Sequence, residues 1–426
     1  MRRFDVSAAD FKSRFAAFLA EPRGARVDVE RAVAEVVEAV RQDGLEAVLR
    51  YARQFDDPDL DETRLRVSAD EIEAGAAACP AEVRSAIDLA AARIGAYHQA
   101  LKPTDGGFTD AAGVELGWRW TPLDAVGIYV PGGRAAYPSS VLMNAVPARI
   151  AGVARIAMVT PPGGLKPAVL AAAKAAGVTE IWRLGGSQAV AALAYGAGPI
   201  SRVDKIVGPG NAYVTEAKRR VYGRVGIDSL AGPSEVVVVA DAANDPAWIA
   251  ADLLAQAEHD PDAQSILITP DSAFGEAVVA AIAAQLAVLP TAADASASWR
   301  DHGAVVVAPL SEAAALVDQI APEHVELAVA EPRALAAQIR HAGALFLGRH
   351  TPEAIGDYVG GSNHVLPTSG AARFSSGLST VDFMKRTSFL ACTPQAFEAL
   401  AGAGEALAAA EGLAAHRLSM SLRRAP

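Results

Sequence analysis

Residues 124–133 read D-A-V-G-I-Y-V-P-G-G, an apolar run that ends in a glycine-rich turn. The part from Ala125 to Val130 predicts a buried strand, because it is short, apolar and bounded by a turn. Glycines let the backbone turn tightly from such a strand into a following helix. Three further strand runs, each followed by a helical pattern or a glycine turn, lie at Arg155–Thr160, Glu180–Leu184 and Asp204–Val207. This alternation predicts a parallel sheet covered by helices.

A second series of strand runs and helical patterns follows the first. Its strand runs are Glu235–Ala240, Ser265–Thr269, Ala304–Ala308, Val325–Val329 and Ala344–Leu347. We therefore predict an α/β fold with two Rossmann-like lobes built on parallel-type sheets.

Helical patterns flank these two lobes. The N-terminal segment is predicted to be helical to about residue 102, and the C-terminal tail to contain helices over residues 379–388 and 394–418 but no strand. The predicted domains are residues 126–235 as the first lobe, 1–125 together with 236–370 as the N-terminal segment and second lobe, and 371–426 as the tail.

Composition narrows the possible partners. The chain has 426 residues, enough for two or three domains, and a formal net charge of −11. The acidic balance argues against nucleic acid or an anionic membrane as a partner, and the longest apolar run is too short to span a bilayer. No apolar leader follows Met1, so we expect a cytoplasmic protein. The two cysteines, Cys79 and Cys392, are too few for a disulfide framework, and both are expected to be buried thiols.

Three strand-to-helix turns of the first lobe are rich in glycine. They are Val130-Pro131-Gly132-Gly133, Gly185-Gly186-Ser187-Gln188 and Gly208-Pro209-Gly210-Asn211. In a parallel sheet they lie at one carboxyl edge, where open α/β sheets bind ligands, and Ser187 or Asn211 could cap the next helix. The dinucleotide fingerprint Gly-x-Gly-x-x-Gly is absent. Two interpretations stay open: a nucleotide or phosphate site, and tight turns without a ligand.

A carboxylate and an imidazole, Glu323 and His324, stand side by side before an apolar strand run. Adjacent strand residues point to opposite faces, so both reach one pocket only if the backbone is irregular, which Pro322 makes plausible. Such a pair, with other acids and histidines in glycine-rich segments, indicates a proton-transfer site.

Candidate metal ligands lie on both sides of this pair. Gln256 and His259 are three apart in a helical pattern and share a helix face. Asp357 and His416 could add two ligands, and two imidazoles with two oxygens suit Zn²⁺, with Mn²⁺ and Co²⁺ also compatible. The alternative is a helix-end histidine without a metal. The remaining histidines outside the Gly360–His364 turn are predicted to be surface or hydrogen-bonded groups: His98, His302, His341 and His350.

From residue 120 to the C-terminus the chain resembles the histidinol dehydrogenases. The stretches that carry the resemblance occur in the order of that family: GIYVPGGRAAYPSSVLMNAVPARIAGV, GPGNAYVTEAKR, DSLAGPSEVVVVAD, DLLAQAEHDPDAQ, IAPEHVEL, GDYVGGSNHVLPTSGAARFSSGLSTVDFMKRTS and EGLAAHRLSMSLR. The helical N-terminal part fits less specifically.

The resemblance implies an NAD-dependent four-electron oxidation of L-histidinol, through the aldehyde, to L-histidine. His324 would be the base for the hydroxyl proton, and Glu323 would activate water. One Zn²⁺ per subunit would be held by Gln256, His259, Asp357 and His416. The implied substrate contacts are Ser234, Gln256, His259, His324, Asp357, His364, Glu411 and His416. The implied NAD contacts are Tyr129, Gln188 and Asn211, one at each glycine-rich turn.

The resemblance also implies a homodimer in which the tail crosses to the partner, so that Glu411 and His416 complete the neighbouring active site. Three alternatives remain: a related dehydrogenase for another amino alcohol, a zinc hydrolase with Glu323 as base, and a two-lobed binding protein without catalysis. Production of NADH separates the dehydrogenases from the other two.

Overall fold

The computed structural model describes residues 1–23, 29–132 and 136–424 of the chain. The predicted first turn is therefore described up to Gly132, and its Gly133 lies outside the described residues. Within this part of the chain, two parallel sheets and one small antiparallel sheet are covered by helices.

The N-terminal segment is largely helical, as predicted, but it begins with a strand. Its elements are β1 (Arg2–Asp5), α1 (Phe11–Ala20), α2 (Val29–Asp43), α3 (Leu45–Phe55), α4 (Glu62–Leu65), α5 (Ala69–Ala77) and α6 (Ala81–Ala100), followed by the hairpin β2 (Gly106–Thr109) and β3 (Glu115–Pro122). Ser68 begins α5 with a capping box to Glu71, so this boundary follows from local sequence.

The first lobe has the predicted alternation. Its elements are β4 (Ala125–Tyr129), α7 (Pro138–Ala151), β5 (Arg155–Thr160), α8 (Pro167–Ala176), β6 (Glu180–Arg183), α9 (Gly186–Tyr195), β7 (Lys205–Val207), α10 (Ala212–Val221) and β8 (Gly226–Ile227). All neighbouring strands are parallel, in the order β6-β5-β4-β7-β8. Strand order reverses at β4, which creates a crevice at the carboxyl edge beside it.

The second lobe also follows the prediction. Its elements are β9 (Glu235–Ala240), α11 (Pro246–Ala257), β10 (Gln264–Thr269), α12 (Ser272–Leu286), α13 (Ala292–His302), β11 (Ala304–Val307), α14 (Leu310–Ile320), β12 (His324–Ala328), α15 (Pro332–Ala336), β13 (Ala344–Leu347) and α16 (Glu353–Tyr358). The parallel strands run in the order β1-β11-β10-β9-β12-β13. The continuous apolar runs reflect burial of both sheet faces, because every residue of β9 and β10 is buried.

Strand β1 corrects the prediction of a purely helical N-terminus, because it pairs with β11 at the edge of the second sheet. Helix α1 packs its phenylalanines beneath this edge. Helices α2, α3, α5 and α6 instead pack on helices of the first lobe. Of the residues 1–125 that were grouped with the second lobe, β1 and α1 pack on that lobe, whereas the later helices pack on the first. The domain boundaries stay predictions.

The tail corrects a second prediction. Residues 384–391 form strand β14 (Met384–Ala391), not a helix, and β14 pairs antiparallel with β3 along its whole length. The capping box of Ser379 and Asp382 closes one short turn before this strand. Two helices follow, α17 (Pro394–Ala410) and α18 (Ala414–Ser421), separated at Gly412, which has a φ of 72°. Long-range pairing with β3 overrode the helical pattern.

Cysteine burial also differs from the prediction in one case. Cys79 is buried as expected, whereas Cys392 is exposed at the end of β14. No helix among the described residues combines the length and apolarity needed to cross a membrane.

Candidate active site

Glu323 and His324 lie together at the start of β12, at the amino end of this strand. Both are buried, and the His324 Nδ1 lies 3.8 Å from a Glu323 carboxylate oxygen. The irregular backbone expected here is present one step earlier than Pro322: Ala321 adopts a left-handed φ of 53°. The turn between α14 and β12 thus brings two adjacent side chains into one region.

The start of β9 holds both members of this pair. The backbone N–H of Glu235 donates to Glu323 Oε2 at 3.2 Å, and the Glu235 carbonyl oxygen lies 3.1 Å from His324 Nδ1. The Ser234 hydroxyl is also hydrogen-bonded to Glu323. The Glu235 side chain is buried in an ion pair with Arg23. One residue of a central strand therefore positions both catalytic candidates through its main chain.

His324 is arranged as a neutral imidazole. Burial lowers its pKa to about 3, which outweighs the opposing effect of the Glu235 carbonyl oxygen. With Nδ1–H donating to that carbonyl, Nε2 carries the free lone pair. Nε2 is buried without a hydrogen-bond partner and lies 3.9 Å from Asp357. This nitrogen can accept a proton from a bound substrate.

Glu323 is surrounded by other acids. Burial raises its pKa well above the usual range, and the nearby carboxylates of Glu235 and Asp357 raise it further. The hydrogen bonds from Glu235 N–H and Ser234 act in the opposite direction. A carboxylate in such surroundings can be tuned to act as a base or acid near neutral pH.

Three of the four predicted metal ligands come from the second lobe. Gln256 is buried in the last turn of α11, and His259 follows three residues later and is exposed. Burial raises the pKa of Asp357 to about 6, and the charge of His259 lowers it, so these two groups interact. Gln256 Oε1 lies 3.1 Å from His324 Nδ1, so it can share the Nδ1–H that the Glu235 carbonyl accepts.

Glu353 is a site residue that the sequence reasoning missed. It begins α16, is buried, and its Oε1 lies 3.5 Å from His324 Nδ1. Its backbone N–H donates to Glu326, and its Oε2 has no partner. Burial raises its pKa well above the usual range, with further increases from neighbouring carboxylates. A signal was present, because Glu353 and Asp357 are four apart and share one helix face.

One group of described side chains fits a divalent cation, and it shares only Asp357 with the predicted ligand set. His324, Glu353 and Asp357 bring one ligand atom each to within 4.8 Å of one another. Two of the three offer a buried atom without a partner, His324 Nε2 and Glu353 Oε2. Imidazole and carboxylate donors without thiolate suit Zn²⁺ or Mn²⁺. A cation would also offset the mutual repulsion of the buried carboxylates.

His364 joins the site, whereas the tail residues do not. His364 Nδ1 lies 3.0 Å from the backbone oxygen of Asp357 and 4.0 Å from its carboxylate. Burial lowers the pKa of His364 to about 4. Glu411 and His416 are exposed around the α17–α18 turn, and the described metal-ligating group contains neither. Their predicted roles in a neighbouring active site stay predictions.

The predicted NAD contacts lie at the carboxyl edge of the first sheet. Tyr129, at the end of β4, accepts a hydrogen bond on its hydroxyl from Gly186 N–H at 3.0 Å, and burial raises its pKa to about 12. Gln188 is buried in the first turn of α9. Asn211 caps α10 by accepting from the N–H groups of Tyr213 and Val214. Gly185 occupies the N-cap of α9, so Ser187 is not a cap.

A buried ion pair holds the third glycine turn. Lys218 and Asp228 form an ion pair in which both side chains are almost fully buried, at 3% and 5% exposed. Lys218 Nζ donates to the Gly208 carbonyl at 3.0 Å, and Gly208 N–H donates to Asp228 at 2.8 Å. Gly208 has a φ of 111°, and a Cβ there would lie 2.2 Å from the backbone carbonyl oxygen of Tyr129. The turn is therefore fixed against β4.

Comparison with known proteins gives one consistent result. The family model described as histidinol dehydrogenase matches residues 20–424. A histidinol dehydrogenase of Caulobacter vibrioides is 70% identical over 99% of each chain, and one of Bradyrhizobium diazoefficiens is 59% identical over 99% of this chain and 98% of its own. The crystal structure of histidinol dehydrogenase from Elizabethkingia anophelis is 36% identical, with a TM-score of 0.94 over 99% of this chain and 98% of its own.

Proposed function

Because the chain belongs to the histidinol dehydrogenase family, we propose that it oxidises L-histidinol to L-histidine in two NAD⁺-dependent steps. The observation that carries this proposal is the buried His324 with a free Nε2, beside the buried carboxyl of Glu323. A neutral imidazole and an adjacent carboxyl group provide the two proton-transfer groups that an alcohol and an aldehyde oxidation require.

His324 serves the first oxidation. Its Nε2 takes the proton of the substrate hydroxyl as the carbon loses a hydride, and the alcohol becomes an aldehyde. Nδ1–H stays on the Glu235 carbonyl, which keeps the ring oriented and Nε2 free. Bound NAD⁺ supplies the hydride acceptor for each oxidation, so two molecules are reduced per substrate.

Glu323 serves the second oxidation. Its carboxylate removes a proton from water as the oxygen of that water attacks the aldehyde carbon, and the former carbonyl oxygen takes up a proton to complete the hydrate. The hydrate then loses the second hydride to NAD⁺ and releases two protons as it becomes the carboxylate. The product carboxylate thus gains its new oxygen from water. Ser234 and the Glu235 N–H hold Glu323 in place for this role.

Zinc would be held by Gln256, His259 and Asp357 of one chain, with His416 supplied by a partner chain. When bound, Zn²⁺ supplies fixed positive charge that positions the imidazole and amine of the substrate without a redox change. His364 and Glu411 would complete the polar surroundings of the substrate. Proximity of His259 to Asp357 and the unpaired buried oxygen of Glu353 support a cation here.

A homodimer with shared sites would bring the tail residues to the catalytic group. The tail exposes Leu407, Leu418 and Leu422, at 65%, 56% and 75%, and burying these side chains against another chain would be favourable. Strand β14 is exposed along most of its length at the edge of its sheet. These surfaces support burial against a second copy. The cytoplasmic location stays a prediction.

Shared sites can be tested by complementation. A His259→Ala chain and a His416→Ala chain would each be inactive alone. A verified heterodimer would contain one intact site, because the unaltered core of one chain receives the unaltered tail of the other. Recovered turnover in that heterodimer is the expected result. Absence of turnover would contradict tail exchange.

The function itself is tested by the yield of NADH per L-histidinol in purified protein, before and after chelation. We expect two NADH per substrate, loss of turnover on metal removal, and recovery with Zn²⁺. One NADH per substrate would contradict the aldehyde step. No NADH from folded, zinc-loaded protein would contradict the proposal as a whole.

A further inference from the structure

Asp56 follows α3 in the N-terminal segment, yet its carboxylate lies in the second glycine turn of the first lobe. Its Oδ2 accepts hydrogen bonds from Gly185 N–H and from Gln188 Nε2, both at 3.0 Å. Gln188 is one of the three proposed NAD contacts. The hydroxyl of Tyr129, a second proposed contact, accepts a hydrogen bond from the N–H of Gly186, which follows Gly185. Asp56 therefore belongs to the same cluster, although more than 100 positions separate it from Gln188.

The turn is shaped around this carboxylate. A Cβ at Gly185 would lie 2.7 Å from Asp56 Oδ1, so any side chain there would displace the acid. Oδ2 already has two donors, whereas Oδ1 accepts no hydrogen bond within the described residues. Asp56 is only partly buried. It thus offers one fixed, free acceptor oxygen and a negative charge at the edge of the sheet.

Sheet order decides which end of a dinucleotide meets this oxygen. Gly185 follows β6, the outer strand, whereas Asn211 follows β7 on the other side of β4. The hydroxyl of Thr215 in α10 donates to the Ala231 carbonyl, and the next residue, Gly232, donates its N–H to the Thr368 hydroxyl. The Asn211 side therefore adjoins the catalytic lobe. A dinucleotide with its nicotinamide toward His324 would therefore place its adenosine end at the Gly185 turn.

We propose that Asp56 Oδ1 accepts hydrogen bonds from the hydroxyls of the adenosine ribose, and that its charge excludes the 2′-phosphate of NADP⁺. This inference rests on the proposed NAD-dependent function and assigns its cofactor preference to one side chain. An acid that bonds the ribose 2′-hydroxyl is a general means of selecting NAD over NADP in α/β sheets. Here the acid comes from an N-terminal helix rather than from the sheet itself.

The physical basis is charge as well as hydrogen bonding. Two hydroxyl donors on a carboxylate form charge-assisted bonds, which are stronger than neutral ones. A 2′-phosphate at the same position would place two anions in contact within a partly buried site. The hydrogen bonds from Gly185 and Gln188 favour the ionised form of Asp56, against the rise in its pKa that burial causes.

The test compares Asp56→Asn with Asp57→Asn in the zinc-loaded protein. Both remove one negative charge from the same loop, but Asp57 pairs with Arg64 at 3.0 Å and not with the turn. The Kd values of NAD⁺ and NADP⁺ are measured by calorimetry without histidinol. In Asp56→Asn we expect the affinity for NAD⁺ to fall by roughly 10- to 100-fold relative to the affinity for NADP⁺. Asp57→Asn should keep the wild-type ratio of the two Kd values.

Three results would overturn the inference: equal affinity of the wild-type protein for both cofactors, an unchanged ratio in Asp56→Asn, or an equal change in Asp57→Asn. If Asp56→Asn fails to fold by circular dichroism, Asp56→Glu takes its place. That variant keeps the charge and must still reject NADP⁺, and NADP⁺ binding by it would contradict the inference. Because binding is measured without turnover, absence of NADH from histidinol would refute the proposed function and leave this comparison decisive.

Discussion

The carboxyl edge of the first sheet and the amino end of β12 in the second differ in what they present. The first consists of glycine turns, backbone N–H groups and one helix cap, and its described charged groups include Asp56 and the buried Lys218–Asp228 pair. The second concentrates buried acids and imidazoles around His324. Backbone suits the binding of a large cofactor, whereas side chains with displaced pKa values suit proton transfer.

The largest expected effect is loss of the base in the second lobe. His324→Ala should lower kcat by about 10²- to 10⁴-fold, because its Nε2 is the proposed acceptor of the hydroxyl proton. The Kd of NAD⁺ should not change. His341→Ala, a histidine outside the site, is the matched control for stopped-flow rates of NADH formation. Equal kcat in His324→Ala and wild type would refute the assignment.

In the first lobe the largest expected effect is on stability. Asp228→Ala leaves Lys218 buried without its partner and frees the Gly208 turn, so we expect a loss of about 3–5 kcal/mol in the free energy of unfolding. Urea denaturation monitored by circular dichroism measures it. Asp301→Ala removes an exposed partner of Arg300 and should change stability little. Similar small losses in both variants would contradict the role of the buried pair.

Glu353 provides an intermediate effect. Glu353→Gln keeps the size of the side chain but alters the hydrogen bonding beside Gln256 and His324, so kcat should fall by about 10- to 100-fold at unchanged KM for NAD⁺. Steady-state kinetics with the exposed-residue variant Glu331→Gln as control would measure this. A change confined to the KM for NAD⁺ would contradict the separation of the two lobes.

The smallest expected effect concerns pH. Burial lowers the pKa of His98 to about 4 in the folded protein, where Asn363 contacts its Nε2. Between that value and the ordinary value of 6.5, the unfolded chain binds more protons, so stability should fall as pH falls through this window. His98→Gln should flatten the dependence of urea midpoint on pH. An unchanged slope would show that other groups dominate.

Most of the fold was readable from local sequence. The strand runs of both lobes and the glycine turns depend on short-range patterns, and the structure confirms them. Strands β1 and β14 were missed because their pairing partners, β11 and β3, are hundreds of positions away. Neither strand has the continuous apolar run of a central strand, since each lies at a sheet edge.

The candidate site was readable in part. Glu323, His324, Gln256 and Asp357 were identified from motifs and resemblance, and the structure brings them together. Asp56 was not identified, because its contacts are with residues more than 100 positions away. Glu353 was missed although its spacing from Asp357 places both on one helix face. The roles of Glu411 and His416 depend on a second chain, so neither one sequence nor one chain's structure tests them.

The most direct test of the division of labour compares Glu323→Gln with Asn211→Ser, a variant that can still cap α10. NADH yield per L-histidinol and the KM for NAD⁺ are measured for both. We predict that Glu323→Gln yields close to one NADH per substrate at unchanged KM, while Asn211→Ser yields two at a raised KM. Two NADH at the normal rate from Glu323→Gln, or the same rise in KM for both variants, would contradict the account.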